Sequence, residues 1–138
     1  MPVMSYLTTC IFDHGALKQL PRTLKGLGGA KPFIVTDPGI KAAGLLDQVT
    51  GALEAEPAGL FAETEPNPTE RQAREATEAY KASGADSLIA LGGGSSMDMA
   101  KIVGLMATHE GPYEQYGALK GGARKIGKIP PLVAIPTT

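Results

Sequence analysis

Cys10 is the only cysteine, so no internal disulfide can form, and a reducing cytoplasm is the expected setting. The two histidines, His14 and His109, stand far from each other and from Cys10, with none of the spacings of a metal site. A formal net charge of -1 gives no reason to expect nucleic acid or an anionic membrane as a partner. No apolar run is long enough to span a bilayer, and the first residues carry neither the basic nor the apolar region of a signal peptide. Internal repeats, low-complexity tracts and the nucleophile elbow of a Ser–His–Asp hydrolase are also missing. Against these absences stand 18 glycines and 11 prolines, which mark many tight turns. At 138 residues and 43% hydrophobic, the chain can bury one core, and a single domain spanning 1–138 is expected.

The most informative stretch runs from Ser87 to Lys101. Ser87 to Leu91 is apolar without alternation, as in a strand covered on both faces. Gly92-Gly93-Gly94 follows, freeing the backbone to turn tightly and to approach a ligand. Ser95 reads as the N-cap of a helix, with Asp98 three residues on completing a capping-box pattern. Met97, Met99, Ala100, Ile102, Val103, Leu105 and Met106 then make that helix apolar on nearly every side, so burial is expected. A helix N-terminus behind a glycine turn suits phosphate, whereas a plain strand–turn–helix would need only one or two glycines.

Elsewhere strands and helices alternate. Val3–Phe12 reads as a first strand. Leu17, Leu20, Leu24 and Leu27 mark a helix with Pro21 in its first turn, ended by Gly28-Gly29. Residues 32–36 form a second strand closed by Asp37-Pro38-Gly39. Residues 40–53 read as a helix broken near Gly44, and 59–62 as a weak strand. Thr69 caps the next helix with Gln72 closing a box. Its inward stripe is Ala73, Ala76 and Tyr80, Glu70 and Arg74 pair on its surface, and Gly84 ends it. A glycine-rich loop with one helical turn near Tyr113–Tyr116 leads to a last strand at 132–135. This alternation predicts an α/β fold with a doubly wound, Rossmann-like parallel sheet.

Ligands bind such sheets at the carboxyl ends of the strands. Asp37, Gly92–Ser96 and Thr137-Thr138 fall there, and Asn67 lies in a loop before a capped helix. Together they suit a dinucleotide, with a carboxylate for ribose hydroxyls and glycine N–H groups for pyrophosphate. The order differs from the standard fingerprint, in which the glycines come first and the acid follows. For Asp37 a simple capping role is an equally open reading. His14, His109 and Cys10 read as structural or exposed, Tyr113 and Tyr116 as packing residues, and Lys101 as a surface or paired charge.

Gly92 to Lys101 resembles the glycine-rich segment G-G-G-S-x-x-D-x-A-K of the iron-containing (group III) alcohol dehydrogenases. Val35-Thr36-Asp37, Pro66-Asn67-Pro68-Thr69 and Ala134-Ile135-Pro136-Thr137-Thr138 also fall in that family's order. The resemblance covers essentially the whole chain. It implies NAD(P)-dependent interconversion of alcohols with aldehydes or ketones, with Fe²⁺ or Zn²⁺ polarising the substrate oxygen. By resemblance, Asp37 holds the adenosine ribose and Asn67 lines the cofactor cleft. Gly93, Gly94, Ser95 and Ser96 bind pyrophosphate with Asp98 nearby, and Thr137 and Thr138 contact the cofactor. Asp37 makes NAD the expected cofactor over NADP.

Members of the family are much longer, and their metal ligands, one Asp and three His, lie in a helical C-terminal domain. The chain is therefore expected to be the N-terminal, nucleotide-binding part of such an enzyme, lacking that domain and every metal ligand. A small alcohol or aldehyde is the expected substrate of the longer enzyme, and a homo-oligomer is one possible assembly. Three competing readings stay open: a nucleotide-binding module without catalysis, the N-terminal part of a related polyol or glycerol dehydrogenase, and a degenerate fragment.

Overall fold

A computed structural model describes residues 8–138 of the chain. Among the described residues, four parallel strands form one sheet in the order β2-β1-β3-β4. They are β1 (Pro32–Val35), β2 (Gly59–Phe61), β3 (Ser87–Gly92) and β4 (Leu132–Pro136). Among the described residues α1 (Leu20–Gly26) precedes β1, and α2 (Pro38–Ala42), α3 (Leu45–Ala52), α4 (Glu70–Ser83) and α5 (Gly94–Thr108) lie in the connections between strands.

The central strands β1 and β3 are buried along their whole length, which explains their unbroken apolar runs. Their register pairs Phe33 with Leu88, Ile34 with Ile89 and Val35 with Ala90. Side chains alternate between the two faces, so each strand feeds two cores. Phe33, Val35, Leu88 and Ala90 meet α4 and α5 through Ala73, Ala76, Tyr80, Met99 and Val103. Ile34, Ile89 and Leu91 meet Leu20 of α1 and Leu46 and Val49 of α3. Helices on both faces of a parallel sheet make the fold doubly wound, as expected. Phe33 packs edge-on against Tyr80, with centroids 5.7 Å apart. Gly59 of β2 leaves room for it, since a Cβ there would lie 2.7 Å from the Phe33 ring. Burial raises the pKa of the Tyr80 phenol.

The local punctuation behaves as expected at many points. Pro21 lies in the first turn of α1, Gly84 ends α4 at φ 70°, and Gly44 separates α2 from α3 at φ 78°. The Thr69 hydroxyl accepts from the Gln72 N–H, and Glu70 pairs with Arg74, which raises the pKa of that guanidinium. The loop before β4 contains the expected 3-10 turn at Tyr113–Tyr116, and two more at Ala118–Lys120 and Gly122–Lys125.

Several expectations need correction. Of the strand expected at Val3–Phe12, residues 3–7 lie outside the described residues, and 8–12 join no ladder, with Phe12 98% exposed. Helix α5 is covered on one side only: Met99, Ala100, Val103 and Met106 are buried, while Asp98, Lys101 and Ile102 are exposed. Its apolar composition therefore exceeds what the described residues cover. Gln72 does not complete a capping box, because its side chain is bonded to an earlier loop.

Asp86 ties the start of β3 to the start of β1. Its carboxylate accepts from the N–H groups of Ala30 (3.0 Å) and Lys31 (2.8 Å) and from the Ser87 hydroxyl (2.8 Å). Burial alone would raise its pKa, but these donors outweigh it and hold the carboxyl below the ordinary aspartate value. A depressed folded-state pKa contributes stability that is complete above the unfolded value, about 4, and is lost as pH falls through the folded one. Asp86→Asn is accordingly expected to lower the urea midpoint near pH 7 and to match the parent at about pH 2. A constant difference across that range would assign the effect to packing.

Candidate functional site

The order β2-β1-β3-β4 places a topological switch point between β1 and β3, because the chain leaves β1 towards β2 and then crosses back to β3. A cleft of about 440 Å³ opens there, at the carboxyl ends of the strands. Asp37 to Ile40 line it after β1, Thr64 to Pro66 after β2, Gly93 to Ser95 after β3, and Thr137 and Thr138 after β4. A smaller apolar hollow bounded by Leu17, Val49, Leu91 and Ile135 shares Thr137 with the cleft.

Gly92 turns the chain from β3 into α5. Its φ of 141° lies where side chains are strained, and a Cβ would sit 2.8 Å from the Ser96 hydroxyl and 3.2 Å from Asp37. This glycine is required by the fold. Gly94 is different: a Cβ there would meet no protein atom within 4 Å. Gly94 lines the cleft at the first position of a fifteen-residue helix, where backbone N–H groups have no intrahelical partner. The space above it is thus open to a ligand approaching the backbone.

Asp37 has two jobs. One carboxylate oxygen accepts from the Ile40 N–H (2.9 Å), capping α2, and the other lies 3.4 Å from the Ser96 hydroxyl. Both readings of this residue are therefore compatible, since a capping carboxylate also lines the cleft. Ser96 itself is fully buried behind the glycine turn. The Thr137 N–H donates to the Gly92 carbonyl at 3.0 Å, which docks the end of β4 against the turn.

Ser95 does not cap α5. The N-cap is Gly93, without a side-chain hydrogen bond, and the Ser95 hydroxyl donates to the Pro66 carbonyl at 2.6 Å. Asp98 is exposed, 3.9 Å from Lys101, so it closes no capping box. Of the residues singled out from sequence, Asp37, Gly93, Gly94, Ser95, Thr137 and Thr138 share the cleft lining. Asn67, Ser96 and Asp98 are not among the lining residues, Ser96 because it is fully buried behind the glycine turn. Thr64, Glu65 and Pro66 were missed. Their signal was the weak strand β2, whose carboxyl end had to reach the same edge as the others.

The lining carries two carboxylates, Asp37 and Glu65, and no lysine or arginine. An anionic group there must rest on backbone N–H groups and hydroxyls, while the carboxylates accept from ligand hydroxyls. No group of three or more His, Cys, Asp or Glu among the described residues could hold a metal ion. His109 is occupied elsewhere: one ring nitrogen accepts from the Gly127 N–H (2.8 Å), and the other lies 3.2 Å from the Leu105 carbonyl. The described residues therefore do not fit a metal centre. No helix is long and apolar enough to cross a membrane, among the described residues.

Comparison with known proteins gives the family of the chain. The chain is 40% identical over 139 residues to 4-hydroxybutyrate dehydrogenase of Cupriavidus necator, covering 100% of this chain and 36% of that protein. It is 45% identical over 128 residues to choline dehydrogenase of Bacillus subtilis (strain 168), covering 90% of this chain and 31% of that one. The solved structure of NADH-dependent butanol dehydrogenase A from Thermotoga maritima superposes with a TM-score of 0.80 at 26% identity, over 99% of this chain and 34% of that one. The chain thus spans about a third of the length of these relatives. Residues 8–138 match the sequence profile of a family described as iron-containing alcohol dehydrogenase, and the chain belongs to that family.

Proposed function

We propose that this chain forms the NAD(H)-binding part of a metal-dependent alcohol dehydrogenase that interconverts small alcohols with aldehydes or ketones. The observation that carries this reading is the cleft at the switch point, with the open backbone at Gly94 on one side and the Asp37 carboxylate on the other. A pyrophosphate resting on the first turn of α5 would be held by Gly93, Gly94 and Ser95, where unpaired N–H groups and the helix dipole favour negative charge. Asp37 would accept from an adenosine ribose, and Thr137 and Thr138 would close the far side. When bound, the cofactor supplies the ring that accepts or returns a hydride. Among the described residues no ligand set for the Fe²⁺ or Zn²⁺ of the family is found, so no role in holding the metal is assigned to them. The name of the Thermotoga relative, NADH-dependent butanol dehydrogenase, supports the choice of cofactor.

Asp37 and Glu65 without a neighbouring cation favour a ribose 2′-hydroxyl and oppose a 2′-phosphate. Titration by cofactor fluorescence is expected to show NADH binding about tenfold more tightly than NADPH, a difference of about 1.4 kcal/mol. Asp37→Asn keeps a capping oxygen for Ile40 but removes the charge, so it is expected to narrow that preference with little change in melting temperature. Equal affinities in the parent, or an unchanged preference in the variant, would leave Asp37 as a cap alone.

A further inference from the structure

Gln72 lies in the first turn of α4, and only 4% of its surface is exposed. A buried amide must spend its donors and acceptor inside the protein. Gln72 spends them on a single loop: Nε2 donates to the Glu63 carbonyl at 2.7 Å, and Oε1 accepts from the Glu65 N–H at 3.2 Å. That loop is the cleft wall missed from sequence. Its next residue, Pro66, presents the carbonyl that accepts from the Ser95 hydroxyl, 29 residues away in the chain. One buried side chain thus fixes the β2 wall, and the wall fixes the first turn of α5.

Resting on the nucleotide-binding reading above, we propose that Gln72 is a positioning residue for the cleft. Its amide holds residues 63–66 so that the Pro66 carbonyl and Ser95 set the geometry of the glycine turn. Gln72 touches no ligand, and its effect passes through the backbone. Without it, the Glu65 N–H and Glu63 carbonyl must find other partners, the wall moves, and Ser95 loses a fixed acceptor.

The experiment uses the 138-residue chain, its Gln72→Met and Gln72→Glu variants, and Ser95→Ala, all studied well below their melting temperatures. Gln72→Met preserves length and removes both hydrogen bonds, whereas Gln72→Glu keeps an acceptor for the Glu65 N–H but sets a second acceptor against the Glu63 carbonyl. NADH affinity is expected to fall about tenfold in Gln72→Met, as expected for one or two hydrogen bonds, and at least as far in Gln72→Glu. Amide hydrogen exchange without ligand is expected to quicken at both 63–66 and 93–96 in Gln72→Met, while β1 and β3 stay protected. Ser95→Ala is expected to quicken 63–66 from the opposite side, which keeps the test alive if Gln72→Met fails to fold. A lowered melting temperature with unchanged NADH affinity would reduce Gln72 to a structural role and overturn the proposal. So would faster exchange confined to 63–66. If the parent binds no NADH, the cofactor reading fails on its own, and exchange at 93–96 alone decides whether Gln72 positions the turn.

Discussion

Gly94→Val is expected to weaken NADH binding about 100-fold while leaving the melting temperature nearly unchanged. The two effects separate because of where the new atoms go. A Cβ at Gly94 meets no protein atom within 4 Å, so the fold has room for it. Valine at the start of a helix costs little, since the first turn lacks a preceding turn to crowd it. The same atoms would stand between a phosphate and the free N–H groups of α5. Losing two charge-assisted hydrogen bonds at about 1.5 kcal/mol each corresponds to roughly two orders of magnitude in affinity.

Gly92→Ala supplies the contrast. There φ is 141° and the Cβ would press on Ser96 and Asp37, so folding suffers first. Strain of about 1–3 kcal/mol is expected to lower the melting temperature by roughly 5 °C. Calorimetry and a cofactor titration on both variants check the pair. If Gly94→Val binds NADH like the parent, the pyrophosphate lies elsewhere.

The isolated 138-residue polypeptide is expected to show no alcohol oxidation above background, with or without added Fe²⁺ or Zn²⁺. By the resemblance, a metal would polarise the alcohol oxygen and ease loss of its proton. Residues 1–7 contain no His, Cys, Asp or Glu, and the described residues gather no three of these in one place. His109 holds the loop before β4 through Gly127, at the opposite end of α5 from Gly94. His14 is exposed beside the short 3-10 turn that precedes α1. Absorbance of NADH over a panel of small alcohols, with metal titrated in, measures this directly. Turnover that rises with metal would mean that a centre assembles from residues dispersed in this fold.

The two predictions rest on different kinds of legibility. Short-range signals were readable because their causes lie within a few residues. Gly84 ends α4, Thr69 caps it, and Gly44 breaks the α2–α3 segment because left-handed backbone and capping oxygens act locally. The apolar run Ser87–Leu91 announced a strand covered on both faces, because both faces of such a strand must be apolar. Strand and helix alternation then implied the parallel sheet, and hence the edge at which Asp37, the glycine turn and Thr137 had to meet.

Other features depended on partners distant in the chain. Ser95 has the spacing of a capping serine, yet its hydroxyl goes to Pro66, because the sheet brings the loop after β2 against the start of α5. Gln72 matches a capping box, but the buried loop carrying Glu63 and Glu65 offers its amide a donor and an acceptor together. Glu65 is an ordinary exposed glutamate in sequence and becomes a wall of the cleft only through the position of β2 beside β1. The chain alone specified most of its elements, their order and the sheet edge at which the candidate residues gather, since propensity and burial pattern are local. The tertiary fold decided which hydroxyls, amides and carboxylates shape that edge, since each hydrogen-bond partner is chosen by proximity after folding.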